Sequence, residues 1–228
     1  DFLPCDVMGR RVQNWIFAHY YFISQPKSPL ITSKFYLKFL ESLHAQVTYL
    51  CANLTPARNH RTIELYAIFM AAVVFPEFAD AEEWLEFSKR ELSNNLQSDL
   101  LEDGVQCELS TDYHMLVLRN YLGIMTLARL NHVEMPTQMD TLIKKMLEFA
   151  LYIHKPDGTT PSLSDGDSRN FLSVLKQGYE LYGDERLLYS ATQGREGQAP
   201  KERCKLFTQS GYAVLRSGWG QKESFDDE

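Results

Sequence analysis

Apolar residues recur at three- and four-residue steps through most of this sequence, a period that commits the chain to helices burying one face each. From about Met8 to Ser24 the steps run through Val12, Trp15, Ile16, His19, Tyr20 and Ile23. Pro26 and Pro29 end that run. Thr32 or Ser33 is placed to cap a second helix reaching about Asn53, with Phe35, Phe39, Leu43, Val47 and Leu50 inward. A third helix is expected from about Arg61 to Phe75, and its unbroken apolar run from Ile68 to Phe75 suggests near-complete burial. Further helices are expected over about 79–101, 113–130, 137–154, 168–182 and 185–191, separated by Pro76, Asp103-Gly104, Pro136 and Pro156-Asp157-Gly158.

Helices in such succession, joined by short polar loops, predict an all-α fold of antiparallel pairs stacked side by side. No clean repeat is visible, which disfavours tandem solenoids of the ankyrin type. Periodicity alone permits either a ring of hairpins or an irregular bundle. After Gly194 the character changes: 195–203 is polar with Gly and Pro and reads as a linker, and Phe207 to Trp219 alternates as one β-strand would. One strand cannot bury itself, so 204–228 is expected to open a β domain that continues past the acidic end Asp226-Asp227-Glu228. The expected organisation is a helical domain over 1–194, a linker over 195–203 and the first strand or strands of a truncated β domain over 204–228.

A net charge of −7 over 228 residues argues against broad nucleic-acid binding driven by phosphate neutralisation. A locally basic cleft can still hold a polyanion, and Arg10, Arg11, Arg58, His60 and Arg61 are the candidates for one. Cys5, Cys51, Cys107 and Cys204 lie far apart without a C-x-x-C pair, so no zinc or redox motif is expected, and no ligand cluster argues for a catalytic metal or a cofactor. No apolar run reaches membrane-spanning length, and Asp1-Phe2-Leu3-Pro4 reads as a start inside a longer protein or after processing.

Two segments concentrate the polar chemistry. Asp103-Gly104-Val105-Gln106-Cys107-Glu108-Leu109-Ser110-Thr111-Asp112-Tyr113-His114 packs Asp, Glu, Ser, Tyr and His between two helical patterns, and Arg58-Asn59-His60-Arg61-Thr62-Ile63-Glu64 precedes a third. Each of these residues has a structural explanation too. Asn59 suits a helix cap, Tyr113 suits packing or surface, and Glu64 and Glu108 suit loop anchors. Trp15 serves equally as a stacking platform or as core.

Together the segments resemble the D-G-x-x-x-E-x-S-x-x-Y-H and N-H-x-x-x-E signatures of the heparinase II/III-like polysaccharide lyases. Arg11-Val12-Gln13-Asn14-Trp15 resembles that family's R-x-x-N-W element, and 156–161 its P-D-G-x-x-P element. Asp165 resembles the Asp of the D-S pair that follows, with Gly166 where Ser is usual. Ser210 to Trp219 is similar to the first strand of its β-sandwich domain. The likeness covers nearly the whole chain, with its motifs in order. It implies an incomplete (α/α) barrel, or toroid, followed by a β-sandwich, and cleavage of uronic-acid-containing acidic polysaccharide, glycosaminoglycan or alginate-like, by β-elimination.

Such a reaction needs a group that stabilises charge on the uronate carboxylate, a base for the C5 proton and an acid for the departing oxygen. The Asn59 amide can donate to the carboxylate without titrating. Tyr113 can supply the acid and even the base, a nearby Arg or protonated His favouring its phenolate. His60 and His114 would bind the carboxylate or tune the tyrosine. The resemblance thus implies Asn59, Tyr113 and His60 as catalytic and Asn14, Trp15, Arg11, Arg58, His114 and Glu108 as substrate-binding. It also implies a base and further ligands from the β domain beyond this chain, leaving the fragment weak or inactive alone, and a periplasmic or secreted location. Two other classes stay open: a noncatalytic sugar-binding or scaffold domain, and a glycoside hydrolase drawing its acid/base pair from Glu64, Glu108, Asp112 and Asp165.

Overall fold

The computed structural model describes residues 4–23 and 31–220. The helix end expected at Ser24, the breaks at Pro26 and Pro29, and the acidic end at 226–228 lie outside the described residues. Eight helices come first among the described residues: α1 (Cys5–Ile23), α2 (Ser33–Ala52), α3 (Arg58–Val74), α4 (Ala81–Asp99), α5 (Thr111–Leu130), α6 (Gln138–Ile153), α7 (Leu172–Tyr182) and α8 (Glu185–Ala191). Two short strands, β1 (Cys204–Phe207) and β2 (Tyr212–Leu215), follow. The chain is thus mostly helical, as expected, with a small sheet after the helices. Contacts divide it into two compact units, 1–95 with 127–134, and 96–126 with 135–228.

In the first unit α3 is the core helix. Ile63, Leu65, Ala67, Ile68, Phe69, Met70, Ala71 and Ala72 are all buried, because a helix apolar around most of its circumference must be covered on most sides. It packs against α1 and α2. Gly9 sets the approach of α1: a side chain there would put its Cβ 3.1 Å from the Glu64 Cα and 3.3 Å from the Ile63 carbonyl oxygen. Gln13 Nε2 donates to that same carbonyl at 2.8 Å. On α2 the Thr32 hydroxyl accepts from the Phe35 N–H at 3.2 Å, the cap expected there, and Leu43, Val47 and Leu50 are buried. Tyr20 and Phe35 correct the inward expectation, at 74% and 58% exposed. Both sit in the end turns of their helices, past the buried stripes of Met8–Val12–Ile16 and Leu43–Val47–Leu50, so the sequence period outruns the packing surface.

In the second unit α6 is central, burying Ile143, Met146, Leu147 and the run Phe149–Ile153, and α7, α8 and β1 pack on it. The stretch expected as one strand from Phe207 to Trp219 is a hairpin instead. β1 and β2 pair antiparallel, Cys204 opposite Leu215 and Phe207 opposite Tyr212. The alternation spans a turn, and the Asp103 carboxylate fixes that turn by accepting from the Gln209 N–H at 2.9 Å, the Ser210 N–H at 2.8 Å and the Ser210 hydroxyl at 3.0 Å. The hairpin rests on α6 through Phe149, whose ring centroid lies 5.1 Å from Phe207 and 5.2 Å from Tyr212. Beyond it Trp219 is buried, with the Arg216 guanidinium 4.1 Å over its ring. Within 195–203 the Gln198 N–H donates to the Glu185 carbonyl at 3.1 Å, so this polar stretch lies against α8. Helix α7 starts at Leu172 because 168–170 fold back on Thr160: Ser168 Oγ donates to its carbonyl at 2.5 Å and the Arg169 N–H to its hydroxyl at 3.1 Å.

Candidate functional site

The segment 103–114 belongs to the second unit, and most of its polar residues hold structure. Asp103 clamps the hairpin turn. Gly104 lies against α6 at Lys145, where a Cβ would sit 2.6 Å from a backbone carbon. Glu108 and Gln106 bind each other reciprocally, Gln106 Nε2 donating to the Glu108 carboxylate at 2.9 Å and the Glu108 N–H to Gln106 Oε1 at 2.9 Å. The Ser110 hydroxyl accepts from the Tyr113 N–H at 3.2 Å and caps α5.

His114 is a correction. It is fully buried rather than presented to a substrate: Nδ1 accepts from the Gln106 N–H at 3.3 Å, which leaves the Nε2 proton for the Met146 carbonyl at 3.1 Å. Burial pushes its pKa down to about 4, so the ring is a neutral brace between the loop and α6. One step along the helix from Tyr113 is a rotation of about 100°, enough to turn one side chain outward and the next inward.

Tyr113 keeps its phenol accessible and donates to Asp165 Oδ2 at 3.1 Å. The hydrogen bond to Asp165, then the negative charges of Asp165, Glu108 and Asp112, raise its pKa above the ordinary phenol value. The expectation was an Arg or protonated His favouring the phenolate; the charges facing the ring are carboxylates, and they favour the protonated donor. Asp112 is itself engaged. Arg169 grips it through Nε at 2.8 Å and Nη2 at 3.2 Å, and the Asp167 N–H donates to it at 3.2 Å. The Arg169 hydrogen bonds, outweighing burial, hold this carboxyl below its usual range. Nothing in the local sequence pattern marks Asp165 or Arg169 as partners of α5, because they lie more than fifty residues away in the chain.

The first unit carries the other candidates. Asn59 is in the first turn of α3, 7% exposed. The N-cap position is Ala57, without a side-chain cap bond. Arg58 and His60 beside it are exposed, and Arg58 holds φ 78, a left-handed value that costs a non-glycine residue about 1–2 kcal/mol. Arg61 is committed elsewhere, Nη2 pairing with Glu91 at 2.7 Å and Nη1 donating to the Thr55 carbonyl at 2.8 Å. On α1, Asn14 is exposed, Arg11 Nε donates to Gln46 at 2.6 Å, and the Arg11 guanidinium lies 5.7 Å from the Trp15 ring. Trp15 is half-buried, 6.0 Å from Phe39, and lines an aromatic groove of about 450 Å³ with His19, Phe22, Phe35 and Tyr36.

Glu64 is fully buried and accepts from the Thr55 N–H at 2.7 Å and the Thr55 hydroxyl at 2.6 Å. Burial raises its pKa against those bonds. With Glu64 enclosed and Asp112 paired, two of the four carboxylates open to a hydrolase are committed to structure. Among the described residues no group of three or more His, Cys, Asp or Glu is placed to hold a metal ion, and no helix is long and apolar enough to cross a membrane.

The sequence pattern of the heparinase II/III N-terminus matches residues 6–189. A heparin-sulfate lyase of Pedobacter heparinus is 29% identical over 198 residues, covering 84% of this chain and 30% of that protein. One from Bacteroides thetaiotaomicron is 32% identical over 171 residues, 67% of this chain and 24% of its own length. A crystal structure of heparinase III superposes with a TM-score of 0.85 at 28% identity, over 93% of this chain and 35% of that one. The chain thus spans about a third of the length of the relatives it matches.

Proposed function

This chain belongs to the heparinase II/III family, and on that premise we propose that it contributes to a lyase cleaving uronic-acid-containing polysaccharide, of the glycosaminoglycan class, by β-elimination. One observation carries the proposal: within a motif whose other polar side chains brace the fold, Tyr113 alone keeps an accessible phenol, and carboxylates hold its proton in place. In the reaction a base removes the C5 proton, its electron pair forms the C4–C5 double bond, and the C4–O bond breaks. Tyr113 gives its proton to the departing oxygen. In the first unit, Asn59 donates its amide hydrogens to a uronate carboxylate, and His60, Arg58, Arg11, Asn14 and Trp15 contact carboxylate, sulfate and sugar rings of the polysaccharide.

The names of the relatives favour a heparan-sulfate-like substrate over an alginate. The C5 base and further ligands belong to the β-sandwich domain, so the isolated chain turns over weakly or not at all, and the protein works in the periplasm or outside the cell, where such polysaccharides lie. The deciding experiment incubates this chain, and a longer protein that contains it, with heparan sulfate and with alginate, and follows the ultraviolet absorbance of unsaturated uronate. Reducing ends without that chromophore identify hydrolysis, and binding without either product identifies a scaffold. Either outcome rejects the lyase, as full activity of the chain alone rejects the need for the β domain.

A further inference from the structure

We propose that Asp165 is a positioning residue for Tyr113, accepting the phenol hydrogen bond and so fixing where the hydroxyl stands before substrate enters; this rests on the role of Tyr113 as the acid. The contact is built rather than incidental. The loop 161–169 is fastened to the start of α5 at several points: Ser110 Oγ donates to the Asp165 carbonyl at 2.5 Å, Thr111 Oγ1 donates to the Pro161 carbonyl at 2.7 Å, and Arg169 and the Asp167 N–H hold Asp112. The Ser110 hydroxyl that binds the Asp165 backbone also accepts from the Tyr113 N–H at 3.2 Å, so one side chain sets the spacing of donor and acceptor. Gly166 permits the approach, because a Cβ there would sit 2.5 Å from Asp112 Cβ and 2.9 Å from Ser110 Oγ. Yet both Asp165 and the loop around it are exposed, where a lone tyrosine–carboxylate bond adds little stability. Such fastening of a bond worth little to folding points to function.

The charges facing the phenol are those of Asp165, Glu108 and Asp112, and Arg169 grips Asp112. Of these, only Asp165 touches the hydroxyl. Its carboxylate raises the pKa of the phenol, and after the proton has passed to the departing oxygen it disfavours the phenolate, so that the phenol regains a proton from water.

The test compares wild type, Asp165→Asn and Asp165→Glu in the longer lyase. Carbon NMR of labelled tyrosine, with the Tyr113 signal assigned by its loss in Tyr113→Phe, reads the phenol directly and needs no turnover. The Tyr113 titration is expected to move to lower pH in Asp165→Asn and to return toward wild type in Asp165→Glu. In parallel the alkaline limb of kcat/KM moves to lower pH, and kcat at that end falls on the order of 10-fold with KM unchanged, part of the roughly 10²–10⁴ that a general acid is worth. An unmoved titration in Asp165→Asn overturns the proposal whatever the activity. A moved titration in a protein that eliminates no polysaccharide overturns the lyase function instead, and the catalytic meaning of the contact with it.

Discussion

Replacing Gly104 by alanine separates two costs that the structure keeps distinct. The residue holds φ +85, and an added Cβ would lie 2.5 Å from Lys145 Cβ, 2.6 Å from its carbonyl carbon and 2.7 Å from its carbonyl oxygen. The left-handed backbone alone costs alanine about 1 kcal/mol. The overlap adds about 1–3 kcal/mol, because two of the three atoms are helix backbone and cannot rotate away. Gly104→Ala should therefore lose about 2–4 kcal/mol, lowering the melting temperature on the order of 10 °C for a chain of this size. Gly183 supplies the control: it ends α7 at φ +67 with nothing within 4 Å of an added Cβ, so Gly183→Ala should lose only about 1 kcal/mol. Urea unfolding of both variants, with the dependence on urea unchanged, measures the difference. Equal losses in the two would refute the close approach of the loop to α6.

Four further outcomes follow from the same geometry. Tyr113→Phe should cut elimination on the order of 10²-fold or more while retaining polysaccharide binding, read by the uronate chromophore and by calorimetry; a near-normal rate returns Tyr113 to the surface. Asn59→Ala should lower kcat on the order of 10²-fold with the fold intact by circular dichroism, and a change in KM alone would make it a binding residue. His114 and His154 are buried neutral imidazoles with pKa pushed down from 6.5 to about 4 by burial. The unfolded chain binds protons between those values that the folded chain does not, so stability is present above pH 6.5 and falls as pH drops toward 4. The loss is about 3 kcal/mol per imidazole, opposed by Glu64, whose pKa burial raises. Urea unfolding across that range, flat with pH, would contradict it. Asp103→Ala frees two turn N–H groups and a hydroxyl and should cost about 2–3 kcal/mol, seen as faster amide exchange at Gln209 and Ser210; unchanged exchange there would deny the clamp.

Helix placement was legible in the sequence because burial imposes its period on every turn. The Thr32 cap, the enclosed run of α3 and the span of α8 are where the residues point. Period says nothing about where a covering surface stops, which is why Tyr20 and Phe35 share the pattern of their helices without its burial. Alternation likewise cannot distinguish a strand from two strands and the turn joining them, and the turn after Phe207 is set by Asp103, about a hundred residues earlier. The candidate residues were visible as chemistry but not as environment. His114 and Tyr113 are adjacent in the sequence and opposite in fate, since one rotation step decides which ring meets the interior. The partner of Tyr113 comes from a loop whose position depends on how 161–169 is fastened to α5, a tertiary fact with no local signature.

The Asp103 clamp ties the hairpin to the loop that leads to Tyr113. A carboxylate at the head of the loop grips one turn of β structure, and at its far end Tyr212 Oη donates to the Leu109 carbonyl at 2.7 Å. Residues 103–109, just ahead of the phenol, are thus moored at both ends to the hairpin that follows the helices. A boundary drawn just before Cys204 would cast off both moorings, so shortening this protein to its helices strips the loop of ties that no helix supplies.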